Sequence, residues 1–144
     1  MKSLQIAAIR HMPWLEDRHT LSDGRVCIRL TTAVNEFDAV TLRHADHYAE
    51  GEPFARATDT PMERMWRDEN HEVWQAVFRP HDPRIVYAFI LRAGDVTLLH
   101  DADGTRAVPE KPEWVNGFHY AHAYPAKELS LIHILRCRLL LTCR

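Results

Sequence analysis

Runs of strand length with a period of two limit what this chain can become. "RVCIRL" puts Val26, Ile28 and Leu30 on one side of an extended backbone and Arg25, Cys27 and Arg29 on the other. That alternation marks a strand with one face in a core. "DAVTLRH" repeats it with Val40 and Leu42, and "HEVWQAVFR" is rich in β-branched and aromatic residues and stops at Pro80. "RIVYAFILR" differs, because Ile85, Tyr87, Phe89 and Leu91 stand opposite Val86, Ala88 and Ile90, leaving no polar face. Such a strand has to be central and covered on both sides. "DVTLLH" follows an Ala93-Gly94 connection, which predicts a hairpin, and "GFHYAHAY" closes the series. An opening strand near residues 5–10 and a short one near 62–66 bring the expected number to about eight. Asp23-Gly24, Glu50-Gly51, His81-Asp82-Pro83 and Asp103-Gly104 supply the turns. Residues 101–113 read as a long exposed loop. Short strands punctuated in this way predict an all-β sandwich or barrel.

A chain of 144 residues is sized for one domain with its own core. Without the three arginines of residues 129–144, 15 Lys and Arg face 20 Asp and Glu, so the body is acidic. An acidic body argues against nucleic acid as a partner. The N-terminal stretch lacks the long apolar run of a signal peptide. Cys27 is the one cysteine before residue 129, so no intrachain disulfide framework is expected there, and a reducing, cytoplasmic setting follows. The apolar end of the chain is broken by Arg136 and Arg138 and is too short to span a bilayer.

Ten histidines raise the question of metal. In "HADHY", a strand would put His44 and Asp46 on one face and turn His47 away, which is poor geometry for a tetrahedral site. His119 and His122 likewise fall on opposite faces. No metal site is assigned. The chain has no G-x-S-x-G, Gly-rich phosphate loop, H-E-x-x-H or C-x-x-C pattern, so no catalytic residue and no cofactor is assigned either. Trp74, Phe78, Tyr87 and Phe89 read as core, as does the stripe Phe118, Tyr120, His122 and Tyr124. Tyr48, Trp66 and Trp114 fall at strand ends or in loops. An exposed amphipathic ring there suits the C–H face of a sugar, and packing under a loop is the plainer alternative.

"AAIRHMPW", "RVCIRLTTAVNEFDAVTLRHADHY", "PMERMWRDENHEVWQAVFRP", "RIVYAFILRAGDVTLLHDADG" and "FHYAHAYP" occur in this order. Together they resemble the N-terminal domain of the neopullulanase, cyclomaltodextrinase and maltogenic amylase group, a family 34 carbohydrate-binding module, over residues 5–126. The resemblance implies an immunoglobulin-like antiparallel β-sandwich without catalytic groups. It also implies a (β/α)8 barrel that follows in the intact enzyme and carries the chemistry. The implied partners are α-glucans such as maltooligosaccharides and cyclodextrins, together with a second copy of the enzyme. In dimeric members each N-domain narrows the partner's cleft. The "ADHY" loop matches a family loop whose tyrosine reaches toward bound sugar, and the match carries to Tyr48, with Asp46 and His47 beside it. Trp66 completes the expected carbohydrate-binding set. The segment "AEGEPFARATDTP" after Tyr48 corresponds to a variable loop. Two rival readings stand beside this one, a stand-alone carbohydrate-binding module and an unrelated immunoglobulin-like protein-interaction domain.

Residues 1–128 are therefore read as the domain. Residues 129–144 have a different origin on this reading. "LSLIHI" is the translation of CTG TCT CTT ATA CAC ATC, which resembles a transposon-end adapter used in sequencing libraries. The adapter continues through a stop codon to Arg-Cys-Arg, and this chain has Leu135 and then Arg136-Cys137-Arg138. A genuine amphipathic helix is the alternative. The expected outcome is that genomic DNA diverges from this tail after Glu128 and continues into a barrel-coding frame. The same tail in an independent isolate would refute the adapter origin.

Overall fold

The structure, a computed structural model, describes residues 4–14, 16–48 and 51–122. Tyr124 of the aromatic stripe and the whole segment 129–144 lie outside these residues. Among the described residues, ten strands form two antiparallel sheets: β1 (Arg18–Thr20), β2 (Val26–Ala33), β3 (Ala39–Asp46), β4 (Thr58–Pro61), β5 (Glu63–Arg67), β6 (His71–Phe78), β7 (Arg84–Ala93), β8 (Val96–Asp101), β9 (Gly104–Ala107) and β10 (Phe118–Ala121). The first sheet runs β1-β2-β6-β5. The second runs β4-β3-β7-β8-β9, with β10 also paired to β7. This is the expected sandwich, with two strands more than the pattern suggested.

The inner faces carry the residues that alternation predicts. Val26, Ile28 and Leu30 of β2 and Trp74 and Ala76 of β6 meet Val40 and Leu42 of β3 and Ile85, Tyr87, Phe89 and Leu91 of β7 in one buried cluster. The chain changes sheets at Met62, a buried residue between β4 and β5 whose N–H bonds the Val40 carbonyl at 2.9 Å. It also changes sheets in the turn after β2, where Asn35 takes φ 58°. Asn tolerates that left-handed conformation better than most residues. The Asn35 N–H donates to the fully buried Glu72 carboxylate. Arg64 brings its Nε to 2.8 Å from the other oxygen of Glu72 and stacks its guanidinium over Trp74.

Strand β7 explains the covering of the second sheet. Along one edge, β3 pairs with it from Ala39↔Arg92 to Asp46↔Ile85. The other edge is divided between β8, at Phe89 to Ala93, and β10, at Arg84 to Tyr87. Its outer residues Val86 and Ala88 are buried with Ala45, Phe54 and Leu99, and Ile90, Val108 and Val115 pack against them. The "variable loop" thus contributes a 3-10 turn (Pro53–Arg56) whose Phe54 plugs the outer face, and then β4.

Three local expectations are corrected. Residues 5–10 do not form a strand. A 3-10 turn (Ile6–Ala8) leads into a single bridge, Arg10↔Thr31. The β7–β8 hairpin turns at Gly94-Asp95, one residue later than expected, because Ala93 still pairs with Val96. Residues 101–113 are organised by Asp101. Its buried carboxylate takes two bonds from Arg106 (2.8 and 2.9 Å) and the N–H groups of Asp103 and Asn116 (2.9 Å each). Burial alone would raise the Asp101 pKa, but these donors outweigh it and hold the pKa below the usual carboxylate value. The pairing lets β9 form where sequence alone suggested only loop.

One polar group sits deep between the sheets. His11 donates from Nδ1 to the Arg29 carbonyl (2.7 Å), so its Nε2 accepts from the Tyr87 hydroxyl (2.7 Å). Phe89 and Phe118 present ring edges to it at 4.9 Å. Desolvation drives the His11 pKa from 6.5 down to about 4. The Arg29 carbonyl opposes this, and His100 and Arg18 add to it. A group with a depressed pKa binds its proton more readily when unfolded, so stability falls as pH drops from 6.5 toward 4. Full neutrality of His11 in the fold corresponds to about 3 kcal/mol across that window. Urea unfolding at steps between pH 7 and 4 should show this loss, and His11→Gln should flatten the slope. Gly117 provides a second test. A Cβ there would lie 2.5 Å from Val86 Cγ2 and 2.6 Å from Phe54. Gly117→Ala should therefore destabilise the fold by about 1–3 kcal/mol in denaturant titration.

Candidate functional site

The four expected sugar-binding residues separate into two places. Tyr48, Asp46 and His47 lie at the end of β3 in the second sheet. Trp66 lies on β5, the edge strand of the first sheet.

At the first place, β3 ends at Asp46, and the His47 N–H bonds the Arg84 carbonyl at 3.0 Å. That bond turns the chain outward and leaves Tyr48 64% exposed. His47 packs edge-on against Tyr48 (5.2 Å) and against His119 (5.3 Å). His119 is in register with Val86, so it stands on the outer side of the sheet. Its pKa is lowered by desolvation first, then by His47 and Arg84. His119 thus joins a small ring cluster with Tyr48 and His47. The period-two pattern placed it on the outer face but could not show its neighbour.

Asp46 turns to a different depression, shared with His44 and Ile85 and bordered by Arg56 and Arg79. His44 stacks on Phe78 (4.1 Å) and bonds Thr60 through Nε2 (2.8 Å), which commits it to packing. Burial lowers its pKa, against the pull of Asp46 and Asp59. The β6–β7 turn brings His81 Nδ1 to 4.0 Å from Asp46 and 3.5 Å from Asp82. These three side chains offer ligand atoms within 4.8 Å of one another. The two arginines bordering the depression oppose a cation there. Sequence reading missed this neighbourhood because only the β3–β7 register brings residues 81–82 to residue 46.

At the second place, Trp66 stands 58% exposed and walls a groove of about 550 Å³ on the outer face of the first sheet. A bulge between Arg64 and Trp66 shifts the β5–β6 register and sets the indole opposite Val73. The floor is Arg29, Thr31, Val73 and Gln75, the outward residues of β2 and β6. The far wall is the segment containing Arg10, Met12, Glu16 and Asp17. Arg29 Nε donates to Gln75 Oε1 at 2.8 Å, and the Met12 N–H donates to Asp17 at 2.8 Å, which fixes floor and wall. Trp114, the third exposed candidate, lies in a 3-10 turn (Pro112–Trp114) with Lys111 over its ring. Trp14 is more exposed than any of these, at 75%, and had been singled out by no pattern.

Comparison with known proteins fits this architecture. Three solved structures share the fold at low identity. A cyclomaltodextrinase matches with a TM-score of 0.71 and 21% identity, over 83% of this chain and 20% of its own. The type III pullulan hydrolase from Thermococcus kodakarensis matches with 0.50 and 19%, over 80% and 16%. A maltogenic amylase from S. marinus matches with 0.54 and 15%, over 82% and 16%. The chain thus spans about a fifth or less of the length of these proteins. No helix among the described residues is long and apolar enough to cross a membrane. The sequence matches the family model "Alpha amylase, N-terminal ig-like domain" over residues 4–125. The chain therefore belongs to the N-terminal immunoglobulin-like domains of the alpha amylases, the non-catalytic part of such enzymes.

Proposed function

We propose that this domain serves a cytoplasmic enzyme that hydrolyses α-1,4 links in cyclodextrins, maltooligosaccharides or pullulan. In that enzyme it shapes the substrate cleft and supports a homodimer, while a following barrel carries the catalytic carboxylates. The family match over residues 4–125 carries this reading and sets aside an unrelated interaction domain. It also supports residues 1–128 as the domain, since the match fills nearly all of that range.

Tyr48 is the residue assigned to reach bound sugar, with Asp46 and His47 supporting it. Its exposure on a turn held by the His47–Arg84 backbone bond gives it a fixed base and a largely exposed ring, braced on one side by His47. An aromatic ring so placed can cover an apolar sugar face and donate its hydroxyl to a sugar oxygen. Its role on this reading is positioning, because the reading gives the catalytic carboxylates to the barrel.

The reading is tested in the full-length enzyme obtained from the genomic locus. Tyr48→Ala should lower kcat/KM for cyclodextrin by about tenfold, the loss of one ring contact of roughly 1.4 kcal/mol, and should affect long starch less. Deleting the domain should weaken dimerisation in sedimentation and shift preference toward long glucans. Unchanged substrate preference after deletion would overturn the cleft-shaping role.

A further inference from the structure

We infer that Asn116-Gly117 is a self-modification site: the chain's own Gly117 nitrogen converts Asn116 to an aspartyl or isoaspartyl residue, and the product unlatches the outer core of the second sheet. Asn116 is exposed, Gly117 is buried, and the pair directly precedes β10. The reaction needs an accessible carboxamide and a following nitrogen that is neither crowded nor bonded. Gly117 has no β-carbon beside its nitrogen, and among the described residues its N–H makes no hydrogen bond. The other two asparagines lack this arrangement. Asn70 is followed by His71, whose N–H donates to Asp68 at 2.8 Å. Asn35 is followed by Glu36, a buried residue whose side chain crowds the nitrogen.

In the reaction the Gly117 nitrogen attacks the side-chain carbonyl carbon of Asn116. The new C–N bond closes a cyclic imide, and the amide nitrogen leaves as ammonia with the proton that Gly117 gives up. Water then adds to either imide carbonyl and opens the ring, so no oxidant or reductant is consumed. Asn116 is a latch between the β8–β9 turn and β10. Its N–H donates to Asp101 (2.9 Å), its carbonyl accepts from the Ala102 N–H (2.9 Å), and its side-chain amide donates to Asp103 (3.0 Å). A carboxylate at 116 cannot donate to Asp103 and sets a second negative charge against it. The isoaspartyl form also adds a carbon to the main chain. Gly117 sits where even a β-carbon would lie 2.5 Å from Val86 and 2.6 Å from Phe54, so a lengthened chain cannot keep that seat. Phe118, the next residue, opens the β10–β7 pairing opposite Tyr87. The change therefore reaches both the outer core and β10.

The test is incubation of the 144-residue chain in mildly alkaline buffer, folded and in guanidinium chloride, followed by peptide mass spectrometry. The folded chain should gain about one dalton at residue 116 alone, split between aspartyl and isoaspartyl forms, with ammonia released in step. Its rate should stay within about thirtyfold of the unfolded rate, because a reaction confined to rare open states is slowed far more. Asn116→Gln, checked for folding by circular dichroism, should lack the gain. The reacted chain, separated by ion exchange, should unfold at lower denaturant than the fresh chain. Asn116→Asp should reproduce the part of that loss that comes from charge. A folded rate more than about thirtyfold below the unfolded one, or faster reaction at Asn35 or Asn70, would overturn the site. Equal denaturation midpoints for reacted and fresh chains would overturn the unlatching.

Discussion

Strand β7 has no side that can meet water, and the rest of the domain is arranged around that fact. Its inner residues are taken by the facing sheet, as in any sandwich. Its outer residues need a second cover, and two irregular segments provide it. Phe54 comes from the stretch after Tyr48, and Val108 and Val115 from the stretch around β9. Gly117 lets the backbone pass against Val86 and Phe54 where no side chain would fit. Asp101 holds the β9 region in place through Arg106 and two backbone N–H groups. Segments that look like loops in the sequence are thus parts of a second core.

The two sheets consequently present different outer surfaces. The second is covered by its own chain, and its accessible chemistry is pushed to the end of β3, where Tyr48, His47 and His119 meet. The first keeps its outer face open, and there the N-terminal segment and the bulged edge strand β5 raise walls around a polar floor. The bulge and charged residues of β5 also disfavour strand-to-strand pairing at this edge. The edge is thereby suited to presenting a side chain to a ligand.

Much of the fold was legible from period two. β2, β3, β6, β7 and β8 lie where alternation put them, because each buries one or both faces and the pattern records that directly. β1, β4 and β9 were not legible. They have three or four residues each, too few to show a period, and exist because a neighbour offers a free edge. Of the candidate site, the sequence placed Tyr48, Trp66 and Trp114 at strand ends or in loops and left packing under a loop open; in the structure all three are exposed. It gave no sign that Tyr48 and Trp66 belong to different sheets.

What the sequence by itself determined was the class of fold, the inward residues of the long strands and the need for two covers over β7. Those follow from side-chain polarity along a strand, which is a local property. The tertiary structure alone decided that His11 would be held neutral between Arg29 and Tyr87, that residues 81–82 would stand beside Asp46, and that Trp66 would wall a groove floored by β2 and β6. Each of these joins residues far apart in the chain. Their proximity is fixed by strand register and sheet order, which no local pattern encodes.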